Sequence, residues 1–93
     1  MKSEEMVRLS EEIISHIQKW FIDTYRLTVD INERYIDSGL IDSFEIINLV
    51  IFIESSYNIK FSSKDFLDSR FFTINGLSEL ILEKISDSLL HRQ

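Results

Sequence analysis

The sequence predicts a small all-α four-helix bundle with three long helices, one short helix and a long first loop. Proline is absent and only two glycines occur among 93 residues, so the tight turns of an all-β domain are poorly supplied. Hydrophobic residues form 44% of the chain, which supports one core and argues against disorder. Residues 1–93 are therefore expected to form a single domain without a deep enzyme cleft.

The first helix is predicted over residues 1–26, with its regular part from about Ser3 to Tyr25. Glutamates lie near its start, where the helix dipole favours negative charge. Ser10 is an alternative N-cap that would give a shorter helix, and the sequence leaves this choice open. Apolar residues at steps of three and four form its stripe: Met6, Leu9, Ile13, Ile17, Trp20 and Phe21.

Residues 27–42 are predicted as a long loop, because the helical spacing of apolar residues lapses there. Loops of this length are uncommon in small domains and are often functional. The loop nevertheless contains several apolar residues, which we expect to pin it to the core. They are Val29, Ile31, Tyr35, Ile36, Leu40 and Ile41.

The second helix is predicted over residues 43–57, because Asp42 and Ser43 are both good N-cap types. Eight of the ten residues from Phe44 to Ile53 are apolar. A helix this apolar is either central to the bundle or presents its outward face to partners. By helical spacing, four residues face the core: Leu49, Val50, Ile53 and Tyr57.

The chain ends with a predicted short helix over residues 62–68 and a last helix over residues 73–90. Thr73 is the expected N-cap of the last helix, and Gly76 weakens it slightly while permitting close packing. Its stripe is Ile74, Leu77, Ile81, Ile85 and Leu89.

Composition excludes several classes of function. No cysteine is present, so disulfides and thiolate metal sites are excluded. The net charge of −6 opposes binding to nucleic acid or to anionic membrane. No apolar run is long enough to cross a bilayer, and the N-terminus carries no signal-peptide core. We therefore expect a soluble cytoplasmic protein with no membrane insertion.

Negative charge concentrates in the middle of the chain. Residues 27–57 contain six acidic residues and one arginine, which gives −5 of the total −6. The charge is either ordinary loop polarity or an acidic docking face that attracts basic partners over long range. The acidic residues are Asp30, Glu33, Asp37, Asp42, Glu45 and Glu54.

The most informative stretch lies where the long loop meets the second helix, and reads Gly39-Leu40-Ile41-Asp42-Ser43-Phe44-Glu45. Here the chain resembles the acyl and peptidyl carrier proteins, in which an Asp-Ser followed by an apolar residue opens the second helix. The Gly-Leu-Ile-Asp-Ser form is most similar to discrete aminoacyl and D-alanyl carriers. The resemblance spans residues 35–81 and includes Tyr57–Phe61, Asp65–Asp68 and Phe72–Ile74.

The resemblance implies that Ser43 carries a 4′-phosphopantetheine arm. A Mg²⁺-dependent phosphopantetheinyl transferase would attach the arm from coenzyme A, with Asp42 and Glu45 helping to engage that enzyme. The arm would hold an acyl or aminoacyl thioester, loaded by an adenylation or ligase enzyme and passed to condensing or transferring enzymes. The chain itself would be a non-catalytic monomer of nonribosomal peptide, polyketide or envelope-modification biosynthesis.

The resemblance also implies a partner-binding flank on the second helix, formed by Phe44, Ile47 and Ile51 with Glu45 and Glu54 nearby. The alternative for the three apolar residues is ordinary packing in the core. The chain departs from fatty-acid-synthesis carriers, which have a small residue where this chain has Phe52. They also have acidic residues where this chain has Asn48, Ser55 and Ser56. These departures fit a short or aminoacyl cargo.

Two other interpretations of the motif remain open. Ser43 could be an N-cap alone, and the acidic apolar helix could belong to an interaction module without a prosthetic group. A second Asp-Ser, at Asp37-Ser38, is followed by Gly39 and by no periodic helix, so Ser43 is the stronger candidate. An enzyme is disfavoured, because His16 is expected on the exposed side of the first helix and His91 near the other end of the chain.

Overall fold

A computed structural model describes residues 4–90, which form three α-helices and two short 3₁₀-helices with no strand in that range. Helix α1 spans Glu4–Tyr25, α2 spans Ile46–Tyr57 and α3 spans Ile74–Leu90. The 3₁₀-helices, η1 and η2, span Asp65–Leu67 and Ser69–Phe72. The prediction of a small all-α bundle is confirmed.

Helix α1 runs antiparallel to both other helices. Its middle meets the end of α2, where His16 bonds to Tyr57, and its last residue, Tyr25, approaches the start of α2. Near the other end of α1, Met6 lines a groove with Leu82 of α3. The end of α1 and the start of α2 therefore lie together, and residues 42–45 lie there too.

The core is one cluster to which all three α-helices and the long loop contribute. Apolar residues recur on one side of each helix, so each helix buries one face. From the loop, Val29, Tyr35 and Ile41 are at most 2% exposed, which confirms that the loop is pinned to the core. The fully buried helical residues include Ile13, Ile17, Phe21, Leu49, Ile53, Ile74, Leu77 and Ile81.

Tyr35 fixes the loop with both its backbone and its side chain. Its buried hydroxyl donates to the carbonyl oxygen of Phe71, and its backbone N–H donates to the carbonyl of Phe72 at 3.3 Å. Burial raises the pKa of the Tyr35 phenol far above its usual value, so the side chain stays a neutral donor. The loop is thereby tied to η2, which lies next to α3.

Two predicted boundaries of the long helices need correction. Regular α2 begins at Ile46, not at residue 43, because residues 43–45 form a tighter turn. In that turn the N–H of Ile47 bonds the carbonyl of Phe44 at 3.3 Å, a 3₁₀ pattern. Helix α1 passes through Ser10 without a break, so the shorter alternative is wrong, and it ends at Tyr25 because Arg26 adopts φ 58°.

The short helix predicted over residues 62–68 is only Asp65–Leu67, and the second 3₁₀-helix after it was not predicted. Asp68 separates the two with an extended backbone, and its carboxylate accepts from the N–H of Arg70 at 2.9 Å. Asp68 therefore ends one turn and caps the next.

The start of α3 follows the prediction closely. Thr73 is its cap rather than its first residue, because the Thr73 hydroxyl accepts from the N–H of Gly76 at 3.0 Å. A Cβ on Gly76 would lie 2.2 Å from the Arg70 carbonyl oxygen. The expected close packing at this glycine is confirmed.

No helix in residues 4–90 is both long and apolar enough to span a bilayer.

Candidate modification site and docking face

Ser43 lies in the exposed turn that joins the long loop to α2. The preceding Ile41 is 2% exposed and anchors the turn to the core. The Ser43 hydroxyl makes no hydrogen bond to the described residues 4–90. The side chain is thus held at a fixed place on the surface and is open to an incoming group.

Asp42 and Glu45 form a capping box around Ser43. The Asp42 carboxylate accepts from the N–H of Glu45 at 3.0 Å, and the Glu45 carboxylate accepts from the N–H of Asp42 at 3.1 Å. These reciprocal bonds satisfy two backbone donors at the start of the helical segment. Asp42 is therefore the cap, and the alternative that Ser43 serves as the N-cap is wrong.

The last residue of α1, Tyr25, lies beside this turn and was not singled out from the sequence. Its hydroxyl is buried, and no described residue completes a hydrogen bond to it, although the side chains of Asn48 and Glu45 are close. Burial raises the pKa of the phenol; the Asn48 amide opposes this rise and the Glu45 carboxylate adds to it. The ring packs edge-on to Trp20 at 5.4 Å. Tyr25 thus connects α1 with the turn that carries Ser43.

The outward side of α2 and of the turn just before it is apolar and exposed. Phe44 is 82% exposed, Ile47 56% and Ile51 59%, so the alternative of ordinary core packing fails for all three. The opposite side of the helix supplies the core, where Leu49 and Ile53 are fully buried. Val50 and Tyr57 are half-buried and pack against that core, as predicted. We call Phe44, Ile47 and Ile51 the α2 flank.

Glu54 is tied more firmly to the fold than its place in the predicted partner surface suggested. Its carboxylate accepts from the backbone N–H of Phe61 at 2.9 Å and lies 3.9 Å from the Lys60 ammonium. Its side chain is 22% exposed. Glu54 therefore holds the segment after α2, and only part of its carboxylate faces solvent.

A second exposed apolar site lies on η1, where Leu67 is 86% exposed. Its neighbour Phe66 packs edge-on to Phe71 at 4.9 Å and is 39% exposed. Leu67 was not assigned a role from the sequence. In the sequence, Phe66 and Leu67 are only an adjacent apolar pair, and the helix that carries them is too short to show an apolar stripe. The pattern therefore does not indicate which of the two side chains is exposed.

The remaining candidates lie away from Ser43. Ser38 is exposed inside the loop, where its N–H bonds the carbonyl of Arg34 at 2.9 Å, and it opens no helix. His16 is exposed, as expected, but bonds the Tyr57 hydroxyl at 2.8 Å and packs on Phe52. His91 lies outside the described residues. In residues 4–90, no group of three or more acidic or histidine side chains could hold a metal ion.

Comparisons with protein-family models, with curated proteins and with solved structures found no match to this chain. The resemblance to carrier proteins therefore stays a prediction from the motif.

Proposed function

We propose that the chain is a freestanding acyl or aminoacyl carrier protein that bears a 4′-phosphopantetheine arm on Ser43. One observation carries the proposal: Ser43 is exposed, its hydroxyl makes no hydrogen bond within residues 4–90, and the carboxylates of Asp42 and Glu45 cap the turn that carries it. A serine needed only for folding would have bonded the backbone, and here Asp42 already does so.

The residues around Ser43 fit such an arm. Attachment through the hydroxyl needs access for a transferase, and Ser43 and both its chain neighbours are exposed. When bound, the arm supplies the thiol that this cysteine-free chain lacks. Asp42 and Glu45 present negative charge beside the hydroxyl, which suits recognition by basic groups and by a Mg²⁺-bearing transferase active site.

The α2 flank would supply the apolar part of partner recognition. Large exposed apolar groups in a line, rimmed by acidic residues, are typical of a protein-binding surface. We propose that the transferase, the loading adenylation or ligase enzyme and the downstream condensing or transferring enzymes dock here in turn. Attraction to the acidic residues would raise the rate of each encounter.

The two 3₁₀-helices, η1 and η2, lie between α2 and α3. We propose that together they correspond to the short helix of a carrier-type four-helix bundle. A carrier that must dock successively with several enzymes is most simply a non-catalytic monomer. A cytoplasmic location follows from the same proposal, because coenzyme A and the loading enzymes are there.

The aromatic contact between α1 and α2 bears on the size of the cargo that the chain could shelter. Phe52 stacks on Trp20 with ring centroids 5.5 Å apart and meets His16 edge-on at 4.9 Å. These rings fill space in which a long acyl chain would otherwise shelter from water. We propose a short or aminoacyl cargo on this ground.

An interaction module without a prosthetic group is the second candidate. The exposed α2 flank and Leu67 favour it, because such surfaces bind partners whether or not a serine is modified. Only the chemistry at Ser43 separates the two candidates.

The test is the intact mass of the purified protein after incubation with coenzyme A, Mg²⁺ and a broad-specificity phosphopantetheinyl transferase. The wild type and Ser38→Ala should each gain one phosphopantetheinyl group, whereas Ser43→Ala should gain none. Ser43→Ala should fold normally, because the Ser43 hydroxyl makes no bond within residues 4–90. A folded wild type that gains nothing from several transferases would exclude the carrier and favour the interaction module.

A further inference from the structure

A groove of about 390 Å³ lies between the start of α1 and α3. Its lining residues are Met6, Glu79, Leu82, Glu83, Ser86 and Asp87, and we call it the α1–α3 groove. Met6 lies 19 residues before Tyr25 in the same helix, which is about 28 Å along the helix axis. Because Tyr25 lies beside the turn that carries Ser43, a molecule in the α1–α3 groove need not cover that turn.

The floor of the groove is apolar and one edge is acidic. Leu82 is 5% exposed, and Met6 is half-buried and packs against the core. Three carboxylates of α3 follow one another at four-residue steps, so they form a row of about 12 Å on one side of the helix. They are Glu79, Glu83 and Asp87. An apolar floor with a charged edge matches the apolar centre and polar rim of a protein interface.

Arg70 of η2 neutralises only part of this negative charge. Its guanidinium bonds Glu83 at 2.6 Å and lies 3.8 Å from Glu79. The same guanidinium also pairs with Asp68 at 3.0 Å, so one positive charge is shared among three carboxylates. Asp87 makes no ion pair within residues 4–90. Together these five residues therefore have a net charge of −3.

Lys84 follows Glu83 in the sequence but does not line the α1–α3 groove. Its ammonium bonds Asp65 at 2.7 Å and lies 5.7 Å from the centre of the Phe61 ring. Each of the other described grooves is lined by at least one lysine. Of the described grooves, the α1–α3 groove alone combines three carboxylates with no basic lining residue. Its charge therefore selects for a positively charged partner.

We propose that the α1–α3 groove binds a basic amphipathic helix of a partner protein. An apolar side chain of that helix lies on Met6 and Leu82, and lysines or arginines at four-residue steps meet the row of carboxylates on α3. The negative charge disfavours nucleic acid, anionic membrane and a second copy of this acidic chain.

A partner held in the α1–α3 groove leaves Ser43 and the α2 flank open to other enzymes. The groove is thus a second docking surface, separate from the one that the carrier function requires. Binding to it needs no arm on Ser43, so it is measured on the unmodified protein.

The experiment titrates a synthetic helical peptide of about 15 residues, roughly four turns, into the unmodified protein and records backbone amide NMR spectra. The peptide carries lysines at four-residue steps beside a row of leucines. Amide shifts should appear at Met6, Leu82 and Ser86 and not at the α2 flank. A peptide with glutamate in place of each lysine should cause no shifts, and added salt should weaken binding of the lysine peptide.

Two pairs of variants locate the binding site. Asp87→Lys reverses one charge of the row and should weaken binding of the lysine peptide about ten-fold. Glu11→Lys is its matched control, because Glu11 is exposed on α1 and does not line the groove; it should weaken binding about two-fold at most. Ser86→Arg and Ser88→Arg each add one positive charge to α3, but only Ser86 lines the α1–α3 groove, so only Ser86→Arg should remove the shifts. Circular dichroism checks that each variant is folded.

Several outcomes would exclude this docking surface: no binding, equal binding of the glutamate peptide, or shifts centred on the α2 flank. Equal weakening by Asp87→Lys and Glu11→Lys would mean that overall charge alone attracts the peptide, and would also exclude it. A wild-type dimer in sedimentation that Ser86→Arg dissociates would assign the groove to a second copy of the chain and overturn the proposal. None of these results bears on the modification of Ser43, which the intact mass measures separately.

Discussion

At the scale of single residues, Gly76 shows how closely the backbone segments pack. The carbonyl oxygen, Cα and carbonyl carbon of Arg70 would lie 2.2, 2.6 and 2.7 Å from an added Cβ. These are backbone atoms of η2, and they cannot rotate away as the end of a side chain can. The glycine is therefore required by the approach of η2 to α3, although alanine is the better helix former.

Gly76→Ala should consequently destabilise the fold. Overpacking typically costs about 1–3 kcal/mol, which exceeds the gain of about 1 kcal/mol from helix propensity. The urea midpoint of unfolding measures the effect. Ser88→Ala, an exposed change on the same helix, should leave the midpoint nearly unchanged. A more stable Gly76→Ala protein would contradict the close approach.

Asp65 fastens η1 to α3 and makes stability depend on pH. Partial burial would raise the pKa of its carboxyl, but the Lys84 ammonium at 2.7 Å and the Ser62 N–H at 2.6 Å together hold the pKa below its usual value. A depressed pKa in the folded state adds stability above the unfolded pKa, and this stability is lost as the pH falls through the folded value.

Asp65→Asn should therefore lower the free energy of unfolding by about 1–2 kcal/mol at neutral pH, because a charged hydrogen bond is lost. The difference from wild type should shrink as the pH drops below about 4. Urea unfolding at several pH values measures this, and Lys84→Gln should remove much of the same contribution. A difference that is constant from pH 7 to pH 3 would contradict the role of the pair.

At the scale of elements, the start of α2 combines a structural and a proposed functional role. Asp42 caps the turn with its side-chain oxygen, and asparagine caps as well as aspartate does. Asp42→Ala should cost about 1 kcal/mol of stability, while Asp42→Asn should cost a few tenths. Both variants remove the negative charge beside Ser43.

The rate at which the transferase attaches the arm should separate the capping role of Asp42 from the role of its charge. We expect both Asp42 variants to be modified several-fold more slowly than wild type at low salt, as a loss of steering charge implies. Initial rates of modification, measured from the intact mass, compare the variants with wild type. Added salt should reduce the difference between these rates, because it screens the charge. An Asp42→Asn protein that is modified at the wild-type rate would restrict Asp42 to its capping role.

Much of each element was predictable from local pattern. The stripe from Met6 to Phe21 predicted α1, and Thr73 predicted the cap of α3, because periodicity and capping depend on neighbours in sequence. The onset of regular α2 at Ile46 and the second 3₁₀-helix were not predictable. They follow from the tight turn at residues 43–45 and from the capping hydrogen bond of Asp68. Which of several possible turns these residues adopt depends on tertiary packing.

At the scale of the whole molecule, α2 has two faces with different tasks. Leu49 is fully buried, whereas Ile47 and Ile51 are more than half exposed and Phe44, in the turn just before α2, is 82% exposed. Leu49→Ala should destabilise the fold by about 2–5 kcal/mol. Phe44→Ala should change stability by less than about 0.5 kcal/mol, while it slows loading by partner enzymes. Thermal unfolding and loading rates, measured on the same samples, test this division between a core face and a partner-binding face. An unfolded Phe44→Ala protein would contradict it.

The candidate site was only partly visible in the sequence. The motif located Ser43 and the helical spacing located the α2 flank, because both lie within one continuous segment. Tyr25 and Leu67 were not found from the sequence. Their positions depend on how α1 and η1 fold back onto the rest of the molecule, which a single sequence does not specify where it lacks a strong periodic signal.

The most direct test of the carrier function is fragmentation mass spectrometry of the chain isolated from its own cells. The account predicts one phosphopantetheinyl group, and fragments that locate it on Ser43. A chain that is entirely unmodified at Ser43, or that carries the group on another serine such as Ser38, would contradict the account.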